Sequence, residues 1–237
     1  MTPDDLIGVV EATWPPAGRQ RLGAFLLRDG RGGGKRVSAA SLVEDWTTPD
    51  LDAAEAAMQA RGQAPLFQVL PGQEALDAAL DARGYAVIDP VLSYAAPVAA
   101  LAVPLPKLSA FAHWPPLEIA REIWAEAGIG PARIAVMERA EGAKAVILAR
   151  HEDRPVGVTF VALSGAEAMV HALEVRPDAR RKGVGGTLVA AAAGFAAEAG
   201  AQRLSLVVTE ANGPARALYA GLGMREGPGY HYREKKG

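Results

Sequence analysis

Residues 175–187 read Val175-Arg176-Pro177-Asp178-Ala179-Arg180-Arg181-Lys182-Gly183-Val184-Gly185-Gly186-Thr187. They follow a β-rich run, 166–175, and precede an alanine-rich stretch, 185–199, with helical spacing that Gly200 closes. The segment is therefore a strand-loop-helix turn. Glycine lets backbone N–H groups converge with no Cβ in the way, and the following helix adds the positive end of its dipole, a geometry that suits a phosphate or pyrophosphate. Arg180, Arg181 and Lys182 add positive charge. The alternative is a solvated turn with a glycine hinge. The spacing fits neither the G-x-x-x-x-G-K-[ST] loop nor the G-x-G-x-x-G turn.

Working outward, the C-terminal half predicts helices over 117–127 and 131–139, strands over 143–150 and 155–163, a strand over 203–209, a short helix over 214–220 and a last strand over 230–233. Upstream, 5–13 has helical spacing, and 23–28 and 36–44 flank a glycine-rich tip like two hairpin arms. A helix over 51–61, capped by Thr48 or Asp50, leads to a strand over 65–70, a helix over 73–83 and extended chain over 85–96 interrupted by Pro90. The Pro- and Ala-rich segment 97–106 places a domain boundary near residue 103. Strands followed by crossover helices predict an α/β or α+β sheet.

The chain of 237 residues is half hydrophobic and carries a net charge of only -2, the balance of an ordinary globular protein. It lacks the basic field of a nucleic-acid binder and any Lys/Arg run for a membrane surface. With no cysteine, disulfides, thiolate zinc sites and a cysteine nucleophile are excluded. The first residues are acidic, no signal-like apolar core follows, and the apolar segment 91–103 is too short to span a bilayer. A cytoplasmic location is expected.

The loop resembles the R-x-x-G-x-G motif of the GNAT acyl-CoA N-acyltransferase superfamily, with Arg180, Gly183 and Gly185 at its defining positions. About 30 residues on, Asn212 to Met224 resembles the family's N-x-x-A-x-x-L-Y-x-x-x-G-F segment, with Met224 in place of phenylalanine. The likeness covers residues 104–237. It implies a mixed, mostly antiparallel sheet flanked by helices, acetyl-coenzyme A as cosubstrate, no metal, and an acetyl group passed to a primary amine. By resemblance the coenzyme contacts are Leu173, Val175, Arg180, Arg181, Lys182, Gly183, Val184, Gly185, Gly186, Thr187, Asn212 and Tyr219. The backbones of Leu173 and Val175 would pair with the pantetheine arm, and the amides after Arg180 would hold the pyrophosphate. Asn212 is equally readable as a helix cap.

Transfer requires a base, because an aliphatic ammonium titrates near 10, and an acid, because the departing thiolate titrates around 8 to 9. By resemblance Tyr219 is the acid, a role compatible with aromatic packing. Strict strand alternation places Met169, His171 and Leu173 on one face. His171 is then either the base or a satisfied core histidine, and Glu174 becomes the base if a bulge reverses the facing. Without cysteine, direct attack in a ternary complex is expected.

The N-terminal half has no glycine loop of this kind, and its order of elements loosely echoes the second half of such a domain. The expectation is an accessory, degenerate copy over 1–103 and a catalytic domain over 104–237. The basic tip Gly30 to Lys35 reads as a hairpin tip. His113 and Trp114 are candidates for the acceptor pocket or for packing, as are Tyr230 and Tyr232, which share a face opposite His231. His151 reads as solvated. A small-molecule or peptide amine is the expected partner, with no nucleic acid or membrane, in a monomer or homodimer. A non-catalytic acyl-coenzyme A sensor and an interaction module are the competing functions.

Overall fold

A computed structural model describes residues 2–44 and 50–235. Helix α1 (Pro3–Thr13) opens on a capping box in which the Thr2 hydroxyl accepts from the Asp5 amide and the Asp5 carboxylate from the Thr2 amide. Its inward face carries Leu6, Val9, Val10 and Thr13. Strands β1 (Gly18–Leu22), β2 (Phe25–Asp29) and β3 (Ala40–Leu42) follow, the last two joined through a 3-10 turn at Lys35–Val37. Next come α2 (Leu51–Gln59), β4 (Leu66–Val69), α3 (Glu74–Ala82), β5 (Tyr85–Pro97) and α4 (Val98–Leu101). Asp50 caps α2 through the Ala53 amide, while Thr48 lies outside the described residues. The expected break at Pro90 is a kink within β5, marked by Asp89 at φ 42.

The second half runs β6 (Ala110–His113), α5 (Glu118–Glu126), α6 (Pro131–Arg139), β7 (Lys144–His151), β8 (Arg154–Ser164), β9 (Glu167–Val175), α7 (Val184–Glu198), β10 (Arg203–Thr209), α8 (Gly213–Gly221) and β11 (Arg225–Lys235). All strands join one sheet in the order β1-β2-β3-β4-β11-β5-β10-β9-β8-β7-β6. Among the described residues, only β3/β4 and β9/β10 pair in parallel, each pair bridged by a crossover helix, α2 or α7. The sheet is thus mixed, mostly antiparallel and flanked by helices, as the sequence predicts.

The two halves exchange strands. β5, the last strand of the first half, lies between β10 and β11, and β11, the last of the second, lies between β4 and β5. Strand β11 is therefore interior and far longer than the short last strand expected at 230–233. The exchange places Tyr230 and Tyr232, both 4% exposed, with Met169 under the inward face of α1. Burying a side chain of this size contributes roughly 2 kcal/mol, so α1 is fastened across both halves. On the opposite face α7 packs on β7 to β10, while α5 and α6 share a face with α1. Among the described residues, no helix is long and apolar enough to cross a membrane.

Candidate active site

Strands β9 and β10 stay paired only from Glu167 with Arg203 to Val170 with Leu206. Just beyond, Ala172 takes φ 51 and three steps along β9 oppose two along β8, from Phe160 with His171 to Val158 with Glu174. This is a β-bulge, and a non-glycine residue in the left-handed region costs on the order of 1 to 3 kcal/mol. Two side chains satisfy the displaced carbonyls: the Trp124 indole donates to Ala172 O at 2.8 Å, and the Thr159 hydroxyl to His171 O at 2.9 Å. The strands then diverge around a cleft of about 1280 Å³, with Leu173 to Val175 on one wall and Val207 to Thr209 on the other.

The bulge corrects the alternation expected for β9. Met169 packs with α1, and His171 stands beside Thr13 and Trp14, whereas Leu173 and Val175 pack with the α7 core. Leu173 is therefore on the face opposite His171. Ala172 packs with the α5 and α6 core, so Glu174, two residues on, returns to the side of His171.

At one end of the cleft the glycine loop turns through a 3-10 turn at Pro177–Ala179, Arg181 at φ 62 and Gly183 at φ 81 into α7, whose first turn has no side-chain cap. Uncapped amides and the helix dipole make this turn electropositive, beside the exposed Arg180 and Arg181. Arg180 Nε also donates to Val175 O at 3.1 Å, tying the loop to the end of β9. Gly185 serves packing: a Cβ there would lie 2.8 Å from Leu218 on α8. Of the expected coenzyme contacts, Leu173, Val175, Arg180, Arg181, Gly183, Val184, Gly185, Gly186, Asn212 and Tyr219 line the cleft, while Lys182 and Thr187 do not. The Thr187 hydroxyl turns back to Gly183 O. Asn212 caps α8 through the Ala215 amide at 3.2 Å while also lining the cleft.

The titratable groups differ in what they can do. Glu174 is partly buried with no hydrogen-bond or ion-pair partner among the described residues, and burial raises its carboxyl above the ordinary 4.5 against the pull of Arg180 and Arg133. Tyr219 is 6% exposed, and burial together with the Glu174 charge pushes its hydroxyl up to about 12. It stays protonated at neutral pH.

His171 is 3% exposed, with burial and the Arg36 charge holding it well below 6.5. Its Nε2 lies 2.8 Å from Thr13 Oγ1, whose own proton goes to Val9 O at 2.7 Å. The Nε2 must therefore carry the hydrogen, and Nδ1 accepts from Arg36 Nη1 at 3.1 Å. Neither nitrogen is free to take a proton, so the ring has the character of a satisfied core histidine.

Tyr230 and Tyr232 line the cleft, and His231 faces away to Asp77, as the alternation predicts. His113 ends the edge strand β6 and Trp114 follows it, packing on Phe160 and taking the Lys144 ammonium over its ring; neither lines the cleft. The cleft also gathers Trp14, Arg36, Asp89 and Arg133, none of which the sequence analysis selected. Nothing local marks them: they meet only through the strand exchange and the packing of the first half on α6. Among the described residues no group of side chains is arranged to hold a metal.

Comparison with known proteins agrees with this fold. Residues 110–224 match the profile of the acetyltransferase (GNAT) family. No curated protein matches the sequence. Among solved structures, a GCN5-related N-acetyltransferase from Kribbella flavida superposes with TM-score 0.72 at 18% identity, covering 99% of this chain and 96% of that one. A functionally unknown conserved protein from Staphylococcus epidermidis gives 0.67 at 12% identity, over 91% and 92%. A tandem GNAT protein from the clavulanic acid biosynthesis pathway gives 0.62 at 18%, over 92% and 83%. Identities this low establish the shared fold.

Proposed function

From an acetyltransferase (GNAT) family domain at residues 110–224, we propose that this protein moves an acetyl group from acetyl-coenzyme A to a primary amine by direct attack in a ternary complex. The observation that carries the reading is the bulged, splayed β9/β10 cleft, with an uncapped, arginine-flanked helix N-terminus at one end and Glu174 and Tyr219 beside it. The amides of Val184 to Gly186 with Arg180 and Arg181 would hold a pyrophosphate, and the backbones of Leu173 and Val175 would guide the pantetheine arm. When bound, acetyl-coenzyme A supplies an activated thioester.

Glu174, its carboxyl raised by burial toward the working range of a general base, accepts a proton from the incoming ammonium. The backbone N–H near Val175 donates toward the developing oxyanion. Tyr219, protonated at neutral pH, gives its proton to the departing sulfur as the C–S bond breaks, and takes back the second proton that the nitrogen loses on becoming an amide. His171 is a positioning residue: it holds Arg36 against the cleft wall and does not exchange protons. The first half, 1–103, serves as an accessory domain that closes the acceptor end, and 104–237 supplies the chemistry.

The test is transfer from acetyl-coenzyme A across a panel of amines, followed by mass detection of the N-acetyl product. Tyr219→Phe should slow turnover about 100-fold or more while weakening coenzyme binding far less. Acetyl label retained on the denatured protein would refute direct attack.

A further inference from the structure

The wall of the cleft beyond Glu174 comes from the first half, and glycine is what lets it approach. The run Gly32-Gly33-Gly34 lies on α6: a Cβ at Gly33 would stand 2.6 Å from Val136 Cγ2, one at Gly32 would stand 3.5 Å from the Ala132 Cβ, and one at Gly34 would stand 3.5 Å from Arg133 Nε. This contact delivers Lys35 and Arg36 to the cleft beside Arg133.

The charges there do not cancel. Lys35 is paired with Asp89 at 2.6 Å. Arg36 and Arg133 form no salt bridge among the described residues; Arg36 spends Nη1 on the neutral His171, and its Nε is buried without a partner. Arg133 lies close enough for its charge to act on Glu174. The half-buried Arg36 and the exposed Arg133 thus line the transfer end, where Glu174 is needed as a base and the other carboxylate, Asp89, is spent on Lys35. Guanidinium forks match carboxylates in geometry and charge, and a partly desolvated fork without an anion leaves donors unmet.

We propose that the transfer end of the cleft recognises a carboxylate on the reacting ligand through Arg133 and Arg36, so that the favoured acceptor is a small amine bearing a carboxylate, as in an amino acid. The inference rests on the acetyltransferase reading above. The same chemistry would also admit a carboxylate carried on the acyl group, which the experiment separates from the acceptor.

The test is calorimetric binding to the full chain loaded with free coenzyme A, using the common amino acids and their carboxamides as probes, alongside succinyl- against butyryl-coenzyme A on the unloaded protein. At least one free amino acid should bind at least about tenfold more tightly than its carboxamide, and Arg133→Gln should erase that preference with no change in coenzyme affinity. Arg36→Lys, which keeps charge but loses the fork, should reduce it. An Arg133-dependent preference for succinyl-coenzyme A, with no preference among the amines, would move the carboxylate to the acyl group and overturn the acceptor assignment. Coenzyme A binding with no carboxylate preference in either arm would overturn the proposal and leave the acetyltransferase reading standing. No binding of coenzyme A at all would overturn both.

Discussion

The charge of Glu174 on β9 acts on the hydroxyl of Tyr219 on α8, adding to burial in pushing it up to about 12, while burial raises Glu174 itself above 4.5. Tyr219 is thereby kept protonated at neutral pH, and Glu174 is shifted upward toward the range in which a carboxyl group exchanges protons with an amine, which is the division of labour that amine acylation needs.

The pH dependence of kcat/KM follows from that division. As pH falls, Glu174 protonates and activity is lost, with an acidic limb above the ordinary carboxylate value of 4.5. Glu174→Gln should remove this limb and lower kcat/KM by roughly 100- to 10,000-fold. An unchanged limb in the variant would assign the base elsewhere.

His171 should make stability, too, fall on the acid side. Its folded pKa lies well below 6.5, so the unfolded chain binds the extra proton first; the contribution is complete above 6.5 and is lost as pH falls below it. The slope is at most about 1.4 kcal/mol per pH unit for one proton. Denaturant unfolding between pH 7.5 and 5 should show a steeper loss for the native protein than for His171→Gln, although the variant starts less stable. Equal slopes would mean that His171 titrates normally.

Gly157 on β8 lies beneath the start of α7, where a Cβ would stand 2.9 Å from Val184 Cγ1 and 3.2 Å from Glu174 O. Gly157→Ala should cost about 1 to 3 kcal/mol by overpacking. It should also weaken coenzyme A binding, because the helix start proposed to hold the pyrophosphate must shift. Thermal unfolding and calorimetry of the same variant check both effects.

Much of the sheet was legible because periodicity and turn residues are local signals. The helix over 131–139 and the strand over 203–209 agree with α6 and β10 residue for residue. The strand exchange was not legible, since Tyr85 to Pro97 carries the same pattern whichever neighbours it pairs with. The facing of Glu174 was undecidable by alternation, because the bulge rests on Ala172 in a left-handed conformation that alanine does not advertise, held by Trp124 and Thr159 from elsewhere in the chain. Arg36 and Arg133 were hidden for the same reason: they are 97 residues apart (133 minus 36) and meet only because three glycines lie flat on α6.

The exchange of β5 and β11 predicts that the halves do not fold apart. Expressed alone, 104–237 lacks the strand between β10 and β11 and leaves both with unpaired edges. Each half alone should be unfolded or aggregated by circular dichroism and gel filtration, and co-expression should restore a soluble complex. A folded, monomeric 104–237 would show that β11 can close on β10 directly.

The most direct test of the central claim is calorimetric titration of the native protein with acetyl-coenzyme A, with Gly183→Glu and Arg180→Glu as controls. Micromolar binding that both variants lose is the predicted result. No binding by the native protein, or binding indifferent to both substitutions, would contradict an acyl-coenzyme A site at the start of α7.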